Sequence, residues 1–288
     1  MSLILNLRLK NKTLRCGERT LIMGILNVTP DSFSDGGKYV QHGTAVDHAL
    51  MMIDNGADII DVGGESTRPS AAEISVETEI ERIVPVISEL RKARPDIIIS
   101  ADTRKSRVAA AAVEAGADII NDISGLQFSP DMAKTAAEKN AGLIIMHMRG
   151  IPADMQDSKN LIYSDLLGEI SNFLKTAAEK AIKAGVHRES IIIDPGLGFS
   201  KGPEQNMEIC GKIDRIAELG FPVLAGHSRK SFIGNMLNEP DPAERIWGSA
   251  GVTAWLALKG AGILRVHDVK ETFQLLKTLE KCKSYSGI

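Results

Sequence analysis

The chain has 288 residues, 43% of them hydrophobic and 25% charged, the balance of an ordinary globular protein in water. A formal net charge of −3 argues against a broad basic surface for nucleic acid, and no apolar run nears the ~20 residues needed to cross a bilayer. Three cysteines without a CxxC pair, Cys16, Cys210 and Cys282, and the lack of a signal-peptide cleavage pattern point to a reducing, cytoplasmic setting.

The first twenty residues, "MSLILNLRLKNKTLRCGERT", alternate Leu3, Leu5, Leu7 and Leu9 with other residues and offer a turn at "KNK". Alternation at period two predicts a β-hairpin over about residues 3–18. "LIMGILNV", residues 21–28, is nearly continuous in apolar residues, as is a parallel strand covered on both faces. It runs into "TPDSFSDGG", where Pro30, Gly36 and Gly37 break regular structure and Thr29, Asp31, Ser32, Ser34 and Asp35 are displayed. A loop this long inside a compact domain is either disordered or functional.

Seven more short β-branched runs follow: "NGADIIDVGG", "DIIISADT", "AGADIINDIS", "AGLIIMHM", "SIIIDPG", "FPVLAGHS" and "GAGILRVHD". Between most of them lie amphipathic stretches such as "TAVDHALMMIDN", "VETEIERIVPVISELRKA" and "SRVAAAAVEA", which read as helices. Strand alternating with helix implies right-handed crossovers and a parallel sheet. Eight units predict a single α/β domain over residues 1–288, a (β/α)8 TIM barrel with an N-terminal β-hairpin. The competing open sheet for a dinucleotide lacks its G-x-G-x-x-G turn, since the glycine spacing in "GLGFSKG" is wrong for it.

In a barrel the loops after the strands' carboxyl ends build the active site. Those ends carry Asn27, the "GGESTR" segment from Gly63, Asp102, Asn121 with Asp122, His147, Asp194, Ser228 to Lys230, and Arg265 to Asp268. Any one of the Asp, Asn or Ser residues is as readily a helix cap or turn former. Caps do not account for Lys230, Arg265 and three carboxylates on one rim. Asp102, Asn121 and Asp194 offer acceptors suited to a planar heterocycle with an amino-amidine edge. Lys230 and Arg265 suit a carbonyl or an anion. Scattered histidines argue against a zinc centre, and neither G-x-S-x-G nor a Walker motif is present.

The segments "ILNVTPDSFSDGG", "DIIDVGGESTRP", "SADTRKS", "IINDISG", "IIIDPGLGF", "GHSRKSFIG" and "RVHDVKET", in this order, resemble the signature segments of the dihydropteroate synthase family. The resemblance implies a (β/α)8 homodimer that joins p-aminobenzoate to 6-hydroxymethyl-7,8-dihydropterin diphosphate with Mg²⁺ present, and that is a target of sulfonamides. It implies a pterin site of Asp102, Asn121, Met146, Asp194, Phe199 and Lys230, and a diphosphate site of Asn27, Arg265 and His267, with Asn27 also reaching the metal. Thr67, Arg68, Pro69, Phe199, Lys230 and Ser231 would line the p-aminobenzoate site. His227 stands where many relatives have Met or another residue, and Arg104 where a small polar residue is common; both are expected beside the site. The nearest alternative function is a pterin-binding methyltransferase domain acting on methyltetrahydrofolate, which would need no diphosphate wall.

This chemistry gives the loop after Val28 a purpose. Loss of pyrophosphate would leave a cation on the pterin methylene, which must be shielded from water and stabilised by negative charge. Asp35, on a loop hinged at Gly36 and Gly37 and closing with the "GGESTRPSA" loop, would supply both. With Arg68 and Lys230, whose roles the resemblance implies, Asp35 completes the groups expected to act in the chemical step: Asp35, Arg68 and Lys230.

Overall fold

The computed structural model describes residues 4–10, 12–29, 38–66 and 73–286. A hairpin of β1 (Leu5–Arg8) and β2 (Thr13–Cys16) precedes the barrel and pairs antiparallel, with Leu7 opposite Leu14. The chain then alternates: β3 (Leu21–Asn27), α1 (Lys38–Asp54), β4 (Ile59–Gly63), α2 (Val76–Ala93), β5 (Ile98–Asp102), α3 (Ser106–Ala115), β6 (Ile119–Asp122), α4 (Met132–Lys139), β7 (Gly142–Met146), α5 (Leu166–Lys183) and β8 (Ile191–Asp194). Two short helices, α6 (Pro203–Gly211) and α7 (Ile213–Ala217), lead to β9 (Leu224–Ala225), followed by α8 (Ser231–Leu237), α9 (Ile246–Leu258), β10 (Ile263–Val266) and α10 (Val269–Ser286). All eight expected barrel strands are present.

The strands are parallel in the order β8-β7-β6-β5-β4-β3-β10-β9. A parallel bridge between Ile193 and Val223, with the Ile193 amide donating to the Pro222 carbonyl at 3.0 Å, joins the two ends and closes the barrel. At two residues, β9 is the shortest strand of the barrel, and the bridge at Val223 lies one residue before it.

Side-chain alternation along the strands divides the apolar core in two. Ile22, Ile60, Ile99, Ile120, Leu143, Ile193 and Leu264 face outward and pack against the helices. Ile59, Ile98, Ile119, Ile144, Ile192, Leu224 and Ile263 face inward and form an apolar floor, and on five of these strands the next inward residue is polar: Asp61, Ser100, Asn121, Asp194 and Arg265. Leu7, Leu9 and Cys16 of the hairpin segment pack into this floor, so the hairpin plugs the amino-terminal end of the barrel. Gly142 makes room for the plug, because a Cβ there would lie 2.7 Å from Leu9 Cδ2.

Above the floor the inward positions turn polar. Strand register aligns Asn27 with Gly63, Gly63 with Asp102, and Asp102 with Asn121, while Met146 lies level with Asp194. The polar residues read from the sequence as strand ends therefore stand side by side at the carboxyl-terminal mouth.

Candidate active site

Arg265 organises the mouth. Its Nε donates to Asp61 Oδ2 and its Nη2 to Asp102 Oδ2, both at 2.6 Å, and Asn121 Nδ2 donates to the same Asp61 oxygen at 3.0 Å. Asp61 is fully buried in β4, and its Oδ1 has no hydrogen-bond partner among the described residues. Burial works against the Arg265 charge, but Asp61 and Asp102 outweigh it and raise its pKa further. Burial likewise pushes the Asp102 carboxyl up, with Arg265 pulling the other way.

This network commits one oxygen of Asp102 and the amide nitrogen of Asn121. Asp102 Oδ1 and Asn121 Oδ1 are left as acceptors. Asp194 Oδ1 accepts from the Gly196 amide at 2.7 Å, leaving its second oxygen for a ligand. Burial raises the Asp194 pKa, opposed by that amide bond and by Lys230. Met146 and Phe199 pack with Ile123, Met148 and Met155 in a small apolar cluster at the mouth. Acceptors from β5, β6 and β8 thus surround a space with an apolar flank.

Lys230 approaches from the loop after β9. Its ammonium lies 4.4 Å from the centre of the Phe199 ring and donates to the Leu197 carbonyl. Burial lowers its pKa to about 8, although Asp194 and Asp102 favour the charged form. Gly198 has φ +81°, and a Cβ there would stand 2.6 Å from Lys230 Cδ, so this glycine is required twice, for its backbone and for the lysine stem. Ser231 opens α8 and is exposed, as are Asn27 at the end of β3 and His267 after β10. His267 Nδ1 lies 3.1 Å from Ser228 Oγ.

Four expected site residues, Asp35, Thr67, Arg68 and Pro69, lie outside the described residues. The two sequence departures prove to be structural neighbours of other elements. His227 is fully buried and turned toward the helices, its Nε2 2.7 Å from Thr253 Oγ1 of α9; it does not face the mouth. Arg104 pairs with Glu65 at 3.3 Å and Glu73 at 3.5 Å and lies over the Phe128 ring. Two other rim candidates also serve the fold: Asp122 accepts from Ser124 and Leu126, and His147 meets the buried Lys201 ammonium at 3.0 Å.

Asp61 was not among the residues singled out from the sequence. Its signal is position: two residues after Ile59 on the same strand, it must share the inward face with an apolar floor, which a carboxylate does only with a partner.

A parallel (β/α)8 barrel whose mouth combines acceptor groups, an apolar flank and the cations Lys230 and Arg265 is the scaffold of an enzyme for a small polar substrate. The family model described as pterin binding enzyme matches residues 23–267. The dihydropteroate synthase of Clostridium beijerinckii is 49% identical over 272 residues, 94% of this chain and 97% of its own, and that of Synechocystis is 47% identical over 264 residues, 92% and 90%. The structure of Xanthomonas albilineans dihydropteroate synthase with 4-aminobenzoic acid superposes with a TM-score of 0.91 at 38% identity, covering 98% of this chain and 99% of that one. The chain belongs to the pterin-binding enzymes and, within them, to the dihydropteroate synthase family.

Gly198→Ala is expected to lower the unfolding free energy by about 1 kcal/mol or more, through strain at a left-handed position and displacement of the lysine stem. Urea denaturation measures it; a neutral substitution would show that the loop does not depend on this glycine.

Proposed function

We propose that this protein condenses p-aminobenzoate with 6-hydroxymethyl-7,8-dihydropterin diphosphate to give 7,8-dihydropteroate and pyrophosphate, by an SN1-like route. The observation that carries the reading is the juxtaposition of free acceptors on Asp102, Asn121 and Asp194 with the cations Lys230 and Arg265. The donors of a dihydropterin ring, its amino group and ring N–H groups, match those acceptors, and the Lys230 ammonium matches its carbonyl or N5. Met146 and Phe199 cover the ring. Membership among the dihydropteroate synthases favours this reading over a methyltransferase acting on methyltetrahydrofolate.

The diphosphate lies toward Asn27, Arg265 and His267. No group of three or more His, Cys, Asp or Glu residues forms a cation cage among the described residues. Mg²⁺ usually takes only one or two protein ligands and otherwise keeps water and phosphate oxygens, so a single exposed amide oxygen on Asn27 fits it. When bound, the ion would neutralise charge on the diphosphate oxygens. Arg265 supplies a charge that cannot be lost at working pH, and His267, its pKa lowered to about 4 by burial and the neighbouring Arg265 and Arg229, meets the phosphates as a neutral group.

The methylene C–O bond breaks with its electron pair leaving on pyrophosphate, and the ring delocalises the positive charge. The neutral aryl amine attacks the methylene carbon and then sheds one proton to solvent. No strong base is needed, and the carboxylates Asp102 and Asp35 offset the transient charge. Thr67, Arg68, Pro69 and Ser231, with Phe199 and Lys230, receive p-aminobenzoate in this reading. The protein acts as a homodimer in the cytoplasm. Trp247 of α9 is 84% exposed, and Trp255 and Leu258 of the same helix, with Met236 and Leu237 of α8, extend an apolar face fitted to a second copy.

Incubation with the pterin diphosphate is expected to release pyrophosphate only when p-aminobenzoate is added; release independent of the amine would contradict the proposal. Lys230 carries its charge below about 8 and loses it as pH rises through that value. Calorimetric affinity for a pterin should therefore fall as pH rises past about 8. Lys230→Ala should bind roughly 10- to 150-fold more weakly at pH 7, the size of a lost charge-assisted bond, and show no such fall. An alkaline fall that persists in the variant would move the titration to another group.

A further inference from the structure

Two loops of the mouth, the one after β9 and the one after β10, are tied together by two rungs. Ser228 Oγ accepts from the His267 backbone amide at 3.2 Å and lies 3.1 Å from His267 Nδ1. One residue on, Arg229 Nε donates to Asp268 Oδ2 at 3.0 Å and its Nη2 to Asp268 Oδ1. Arg229 holds a left-handed φ of +59°, and its amide donates to Ser249 Oγ of α9 at 2.9 Å, so the loop has little freedom to turn Ser228 elsewhere.

Ser228 is buried, and its hydroxyl proton needs an acceptor. Both hydrogen-bond partners of Ser228 Oγ among the described residues belong to His267. The backbone amide is a donor, which leaves imidazole Nδ1 as the acceptor. A neutral imidazole with Nδ1 accepting carries its proton on Nε2. The residue is reachable from the mouth, and Nε2 is the nitrogen left for a ligand.

We infer that Ser228 is a positioning residue that locks His267 in the Nε2–H tautomer, so that the imidazole meets the diphosphate as a neutral hydrogen-bond donor. The inference rests on the diphosphate role proposed for His267 and adds what sets its donor character. A carboxylate at the place of Ser228 would act oppositely: it would hold Nδ1–H and leave Nε2 a bare acceptor facing anionic oxygens. The adjacent carboxylate, Asp268, is kept from that task by Arg229. Desolvation, with Arg265, Arg229 and Lys230, opposes protonation of the ring against the pull of Asp268, so its donor capacity comes from the tautomer and not from a positive charge.

The test uses the full-length protein with ¹⁵N-labelled histidine, His267 being assigned by its loss in His267→Gln. Between pH 6 and 8, two-bond proton–nitrogen correlations should show His267 protonated at Nε2 with a hydrogen-bonded Nδ1, and Ser228→Ala should give a tautomer mixture or a free Nδ1. A proton on Nδ1 in the unsubstituted protein, or identical spectra in the two proteins, would overturn the inference. Calorimetry with inorganic pyrophosphate should show roughly five- to tenfold weaker binding to Ser228→Ala, the size of one lost neutral hydrogen bond. The KM for pterin diphosphate should rise alike, while the KM for p-aminobenzoate and the melting temperature are kept; an unchanged pyrophosphate affinity would count against the latch. Unweakened pyrophosphate binding by His267→Ala would instead remove the imidazole from the diphosphate site, and the inference would fall with that reading, whatever the spectra show.

Discussion

The mouth of this barrel depends on one part-buried cation, Arg265, held between Asp61 and Asp102. Two carboxylates on neighbouring strands, shielded from water, would repel each other. The guanidinium between them lets both stay close to the axis, and its planar fork sets their orientation. Asp61 in turn takes the Asn121 amide, which turns the amide oxygen toward the open space. Charge, acceptor geometry and the direction of the free lone pairs therefore follow from a single residue of β10. Removing one member of such a network leaves the others buried and unpaired, which costs far more than the net value of the pair.

The barrel accommodates this polar assembly because its interior is divided by height. The inward residues of the lower layer, with Leu7, Leu9 and Cys16 of the hairpin, make a dry floor. Polar groups begin one inward position above it, at Asp61 and Ser100, and widen into the mouth with Asp102, Asn121 and Asp194. A dry floor below the network lowers the local dielectric and strengthens each ion pair above it. The hairpin is remote from the chemistry in sequence and in space, yet it closes the end from which water would otherwise reach the network. On the other side of the mouth, Gly198 and Phe199 shape the channel in which the Lys230 stem lies.

The barrel was legible in the chain because each strand is a short β-branched run ending in polar residues, and eight such runs are hard to arrange otherwise. Reading the strand ends found Asp102, Asn121, Asp194, Lys230 and Arg265, since register places consecutive strand ends side by side. It also gathered Asp122 and His147, which sit on the same rim but serve the fold, because a strand end alone does not tell an inward side chain from an outward one. Asp122 follows Asn121 and therefore points the other way. Asp61 escaped notice because it lies inside a strand, where its meaning comes from period-two alternation with Ile59. His227 lies beside functional residues in sequence but faces α9. The Ser228 latch depends on two loops brought together only by the β9–β10 pairing, which no local pattern announces.

The central claim is that Asp61 and Arg265 act as a unit, and a double-mutant cycle tests it most directly. Asp61→Asn, Arg265→Met and the double variant would be unfolded in urea under identical conditions. The account predicts an interaction energy of roughly 1–3 kcal/mol, with the double variant more stable than the sum of the single losses, because Asp61→Asn removes the buried charge that Arg265→Met leaves unpaired. Losses that add, leaving an interaction energy near zero, would mean that the two side chains are independent and that the mouth is built in some other way.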